Sequence, residues 1–167
     1  MRRPGRPGGE GGHGGPPEQT RMDYRRVEYP RHVPDAFKAL YTASNAVHDG
    51  VLEPPLVELV FLRVSQINGC AFCMDMHATA LRRAGVDPRK LDTLPGWRDS
   101  RFFDARERAA LDWAEALARL PSGAPADATY EALKAHFDDA GIATLTMAVA
   151  LISAWNRLGV GLQPELP

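Results

Sequence analysis

The stretch Asn68–Gly85, NGCAFCMDMHATALRRAG, decides how the rest of the chain is read. Asn68-Gly69 is a break signal, and Asp87-Pro88 blocks continuation just past Gly85. Between them the pattern predicts a helix from near Cys70 to Gly85, with Gly85 suited to its C-terminal cap. At about 100° per residue, Cys70, Cys73 and His77 fall within roughly 60° of one another. Leu81 and Ala84 continue that face, while Phe72, Met76 and Thr79 point the other way. The thiols therefore stand at the N-terminal end of a buried stripe.

Upstream, Pro55–Ile67 (PLVELVFLRVSQI) reads as a helix that is apolar around most of its circumference. A further helix begins at Pro34, carries a rough stripe of Phe37, Leu40, Tyr41 and Val47, and stops at Gly50. Downstream, Leu91–Arg101 is looser. Asp104 and Glu107 then have capping-box spacing ahead of Ala110, Leu111, Ala114, Leu117 and Ala118, and Pro121, Ser122 and Gly123 end that helix. A fifth helix is expected over Ala128–Phe137, with Tyr130, Leu133 and Phe137 inward, and a sixth over Ile142–Leu158. No run alternates β-branched and aromatic residues as a strand would. The expectation is an all-α domain of about six helices over residues 21–167, preceded by a disordered Gly/Pro-rich tail over 1–20 that contains His13.

Composition narrows the function. The 167 residues suffice for one domain with a real core. Lys+Arg is 20 and Asp+Glu 21, for a net charge of -1, so neither nucleic acid nor an anionic membrane is expected as a partner. Two cysteines exclude a disulfide-rich scaffold. No apolar run follows the N-terminal arginines as in a signal peptide, and the uncharged stretch Gly141–Asn156 is short for a membrane span, which leaves a cytoplasmic protein as the expectation. No Gly-x-Gly-x-x-Gly follows a strand, and no cofactor is expected.

The cysteine spacing carries chemistry. The first turn of a helix offers unpaired N–H groups and the positive end of its dipole, which stabilise a thiolate. Thiols three apart can close a disulfide with little backbone movement, so one can attack a substrate and the other resolve the product. His77 lies four residues after Cys73, within plausible reach. Several plainer readings stand beside this one. Cys70 and Cys73 can be small core hydrophobes, and His77 a packed histidine. Zinc could take Cys70, Cys73 and His77, with Glu58 as a fourth ligand. A c-type haem needs histidine directly after the second cysteine, where Met74 stands. Glu58 sits among residues that want to be dry. It is read either as the proton acceptor of the thiol site, with a raised pKa, or as half of a structural ion pair with an arginine of another helix.

The run Val64-Ser65-Gln66-Ile67-Asn68-Gly69-Cys70-Ala71-Phe72-Cys73-Met74-Asp75-Met76-His77, with Glu58 twelve residues before the first cysteine, resembles the carboxymuconolactone decarboxylase family in its AhpD-like alkylhydroperoxidase branch. Leu94-Pro95-Gly96-Trp97, Glu107-Arg108-Ala109-Ala110-Leu111 and Ala154-Trp155-Asn156-Arg157-Leu158 are similar to that branch too. The resemblance implies an AhpD-like helical fold, a homo-oligomer (trimer or hexamer), and reduction of hydroperoxides with electrons from an external dithiol or lipoyl-type donor. It implies Cys73 as the peroxide-reactive thiol, Cys70 as its resolving partner, and Glu58 and His77 as the proton relay. One departure is Phe72, where the branch's peroxidases place a histidine. A non-enzymatic redox-responsive oligomer and a zinc-stabilised domain remain the alternatives.

Overall fold

The computed structural model describes residues 24–166; the tail expected over 1–20 lies outside the described residues. Eight α-helices are found among them: α1 (Tyr29–His32), α2 (Pro34–His48), α3 (Pro54–Asn68), α4 (Ala71–Arg83), α5 (Pro88–Asp92), α6 (Ala105–Ala118), α7 (Asp127–Lys134) and α8 (Asp139–Leu162). Short 3-10 turns at Leu94–Gly96 and Leu120–Ser122 complete the order. The only extended pairing among the described residues is one antiparallel bridge between Tyr24 and Pro164. The all-α expectation holds.

The central element is α3. Val57, Val60, Phe61 and Val64 pack toward Ala110 and Ala114 of α6 and Leu145, Ala148 and Ile152 of α8. Leu59 and Leu62 belong to a second cluster, with Leu81, Leu91, Leu94, Trp97, Phe103 and Leu111. Apolar surface on both sides of one helix explains why its sequence shows no clean stripe. Burying a side chain of this size is worth about 1.5–3 kcal/mol, so α3 holds the fold together from within. The one arginine buried among the described residues, Arg63 of α3, bonds from Nε and Nη2 to Oε1 of Glu115 on α6 at 2.7 and 2.6 Å.

Several expectations need correction. Two short helices, α1 and α5, were not foreseen; Asp87-Pro88, expected only to block α4, caps and opens α5, with Asp87 accepting from the Arg89 N–H. The fifth expected helix ends at Lys134 rather than Phe137, and Tyr130 is exposed, tilted against Trp113. Tyr41 and Ala84 are exposed rather than on buried faces. Phe72, expected to point away from the buried face, is half-buried and packs against the core. The last helix runs 24 residues, from Asp139 to Leu162, and is by length and composition long and apolar enough to cross a membrane. In this fold it packs against α2, α3, α4, α6 and α7 as a core helix.

Candidate active site

The site is built where α3 ends and α4 begins. Gly69 adopts φ 67°, a left-handed conformation that glycine takes without steric cost, and the Cys70 N–H reaches back to the Ser65 carbonyl at 3.1 Å. This turn folds α4 back along α3. A buried polar clamp fixes it to α8: Asn68 Nδ2 donates to Asn156 Oδ1 at 2.9 Å, and Asn156 Nδ2 donates to Ser65 Oγ at 3.0 Å. Asn156 is 1% exposed, so its amide satisfies buried groups that would otherwise be costly.

Cys70 is the N-cap of α4, its sulfur accepting from the Cys73 N–H at 3.3 Å. The two cysteines are joined as a disulfide with Cα atoms 5.3 Å apart. They are 1% and 2% exposed. Gly159 of α8 lies directly over the sulfurs: a Cβ there would stand 2.7 Å from Cys70 Sγ and 3.5 Å from Cys73 Sγ. Only a residue without a side chain lets α8 approach this closely. Beside the cystine opens a cavity of about 500 Å³, walled by Phe72, Gly159, Val160 and Leu166 and rimmed by Arg25 and Glu165.

His77 and Glu58 meet as expected. His77 Nδ1 lies 2.8 Å from Glu58 Oε2. The imidazole is buried, with Phe61 packed 5.1 Å away between ring centres. An ionised carboxylate only accepts, so the Nδ1 proton donates to it and Nε2 is left with a lone pair. That Nε2 is buried and has no hydrogen-bond partner. The arrangement is a base one helical turn beyond Cys73, on the same face, held in the accepting tautomer by a carboxylate.

The structural alternative for Glu58, an ion pair with an arginine, is not what forms; its second oxygen, Oε1, is 3.3 Å from His48 Nε2 at the end of α2. Sequence reading missed His48. The signal available was the short link Asp49–Glu53, which brings the end of α2 beside the first turns of α3. Gly159 was missed as well, for no local pattern ties it to the cysteines. Among the described residues, no group of three or more His, Cys, Asp or Glu side chains is placed to hold a metal ion. The zinc reading gains no support from the geometry.

A family model of the carboxymuconolactone decarboxylase family matches residues 32–116. The chain belongs to that family. Within the carboxymuconolactone decarboxylase family it falls in the AhpD-like branch. It is 30% identical over 138 residues to the uncharacterized protein YdfG of Bacillus subtilis (strain 168), covering 83% of this chain and 94% of YdfG. The crystal structure of ATU0492 from Agrobacterium tumefaciens, a protein of unknown function given the name of the antioxidant defence protein AhpD, superposes with a TM-score of 0.81 at 39% identity, over 85% of this chain and 97% of that one. The debrominase Bmp8 shares the fold, with a TM-score of 0.71 at 19% identity over 83% of this chain and 73% of Bmp8. One family fold thus hosts different chemistries, and activity has to be argued from the site.

Proposed function

We propose that this protein is a thiol-dependent peroxidase. The observation that carries the reading is the Cys70–Cys73 pair set one helical turn before a buried histidine whose tautomer is fixed by Glu58. Cys73, as thiolate, attacks the distal oxygen of a hydroperoxide. The O–O bond breaks, sulfenic acid forms on Cys73, and the leaving alkoxide takes a proton to become the alcohol. The Cys70 thiol then displaces water from the sulfenic acid, giving the disulfide. An external dithiol, of lipoyl type, reduces that bond and leaves as its own disulfide. His77 Nε2 accepts the thiol proton, and Glu58 stabilises the imidazolium that results. The cavity beside the cystine, with Phe72 and Leu166 on its walls, suits a small hydroperoxide with an apolar chain. We place the reaction in the cytoplasm, where a dithiol pool is available.

The name-bearing AhpD-like relative ATU0492 supports this reading. The test uses the reduced full chain. Adding one equivalent of cumene hydroperoxide should yield one equivalent of cumyl alcohol and a two-dalton loss on the peptide holding both cysteines. Sustained turnover should follow with dihydrolipoamide. Alcohol production that does not depend on Cys73, or persistent free thiols, would overturn it.

A further inference from the structure

We propose that His48 is a positioning residue of this site and the solvent-side end of a proton path running His77, Glu58, His48. The proposal rests on the thiol chemistry just assigned and extends it beyond the four residues legible in the sequence. The two oxygens of Glu58 are divided between two imidazoles: Oε2 lies 2.8 Å from His77 Nδ1, and Oε1 lies 3.3 Å from His48 Nε2. The exposure of these side chains rises along the line, 7% for His77, 14% for Glu58 and 38% for His48. The cystine at the inner end is closed over by Gly159. His77 Nε2 is itself buried and has no hydrogen-bond partner, so a thiol proton taken up there does not pass straight to water. It leaves by the other nitrogen, through the carboxylate, to an imidazole that water reaches.

The surroundings of His48 favour this role. Its Nδ1 lies 3.7 Å from Asp49 Oδ1, so its ring stands between two carboxylates. The other charged residues on α2, Asp35 and Lys38, lie three turns earlier. On α8, packed against α2, the charged residues are Asp139 and Arg157, one near each end, with Arg157 bonded to the Ser153 carbonyl. On α1, Arg31 pairs with Glu28, and His32 is exposed. On α3, Arg63 is committed to Glu115, and Glu53, just before α3, is paired with Arg106. Glu58 and Asp49 are the carboxylates paired with His48 among the described residues. An imidazole carries a nitrogen on each side of its ring and can take a proton at one and give one up at the other, which an arginine or lysine would not do.

Two reactions of the full-length protein test it. One is disulfide formation in the reduced protein by cumene hydroperoxide. The other is reduction of the disulfide form by dithiothreitol, in which the leaving cysteine must take a proton back. Both are followed in weakly buffered solution across pH 6–8. His48→Ala should slow both by roughly tenfold or more, and added imidazole should restore them. His48→Gln, which keeps a donor beside Glu58 but cannot pass a proton, should remain slow. Glutamine restoring wild-type rates would make His48 merely structural and sink the proposal, as would alanine at wild-type rates or a loss that imidazole leaves unchanged. Should His48→Ala not fold, the glutamine variant decides alone. A wild-type protein that does not reduce hydroperoxide, while the dithiothreitol reaction follows the expected pattern, would remove the peroxidase reading and leave the proton path standing.

Discussion

Glu58 stands between two imidazoles, and Glu58→Gln separates its shape from its basicity. The amide puts an N–H where one histidine offers its own, so the accepting tautomer of His77 loses its support. We expect roughly 10- to 1000-fold slower thiolate formation and peroxide reduction, read from the pH dependence of Cys73 alkylation and from turnover. Urea unfolding should move little, because glutamine keeps the shape and hydrogen-bonding capacity of the side chain and removes a largely buried carboxylate. Unchanged alkylation with a large loss of stability would take Glu58 out of the site. Gly159→Ala tests the roof of the same site. Its Cβ would come within 2.7 Å of Cys70 Sγ. A free thiol can rotate away from that methyl, whereas a cystine sulfur is tied. The variant should therefore shift the thiol–disulfide balance toward the thiols, by about 1–3 kcal/mol, in a dithiothreitol titration. An unshifted midpoint would mean that α8 gives way.

Between α3 and α6, the Arg63–Glu115 pair is the buried electrostatic joint. Burial works against the Glu115 charge, but hydrogen bonds from Arg98, Trp97 and Arg63 outweigh it and hold the carboxyl below its ordinary value of 4.5. A depressed folded pKa contributes stability above the unfolded value, and that contribution is lost as pH falls through the folded value. Acid unfolding should therefore draw on Glu115 below about pH 4.5, and Glu115→Gln should flatten that limb of the stability curve while costing about 3–5 kcal/mol at neutral pH. Equal acid sensitivity in variant and wild type would contradict this. The elements themselves were legible to different degrees. The starts of α2 and α6 were marked by Pro34 and by the Asp104–Glu107 box, and the box forms with both of its bonds. The short helices α1 and α5 were not legible, because four or five residues carry no period. The inner site was legible because Glu58, Cys70, Cys73 and His77 lie on two adjoining helices across one glycine turn. His48, Glu115 and Gly159 reach their partners only through tertiary packing, which spacing does not record.

Across the whole molecule, apolar surface is distributed unevenly. The apolar residues of α3 are covered inside the single chain. What remains open is one face of α8, where Ala143, Met147 and Ala150 are exposed at helical spacing, with Met147 at 52%. This face supports the proposal of a homo-oligomer. Sedimentation should give a mass above the 18.3 kDa chain, and Met147→Glu should return it toward that value. A wild-type protein sedimenting at 18.3 kDa at micromolar concentration would end the proposal. The cystine has a different bearing at this scale. Cys70 and Cys73 enclose only Ala71 and Phe72 between them. As a cross-link this is a very small ring, and closing it removes little freedom from the unfolded polymer, about 2 kcal/mol in the chain-entropy account. Opening the bond therefore lowers the melting temperature by only about 4–8 °C in a chain of this size. The scaffold outlasts each breaking of its one covalent link, as the proposed thiol–disulfide cycle would require.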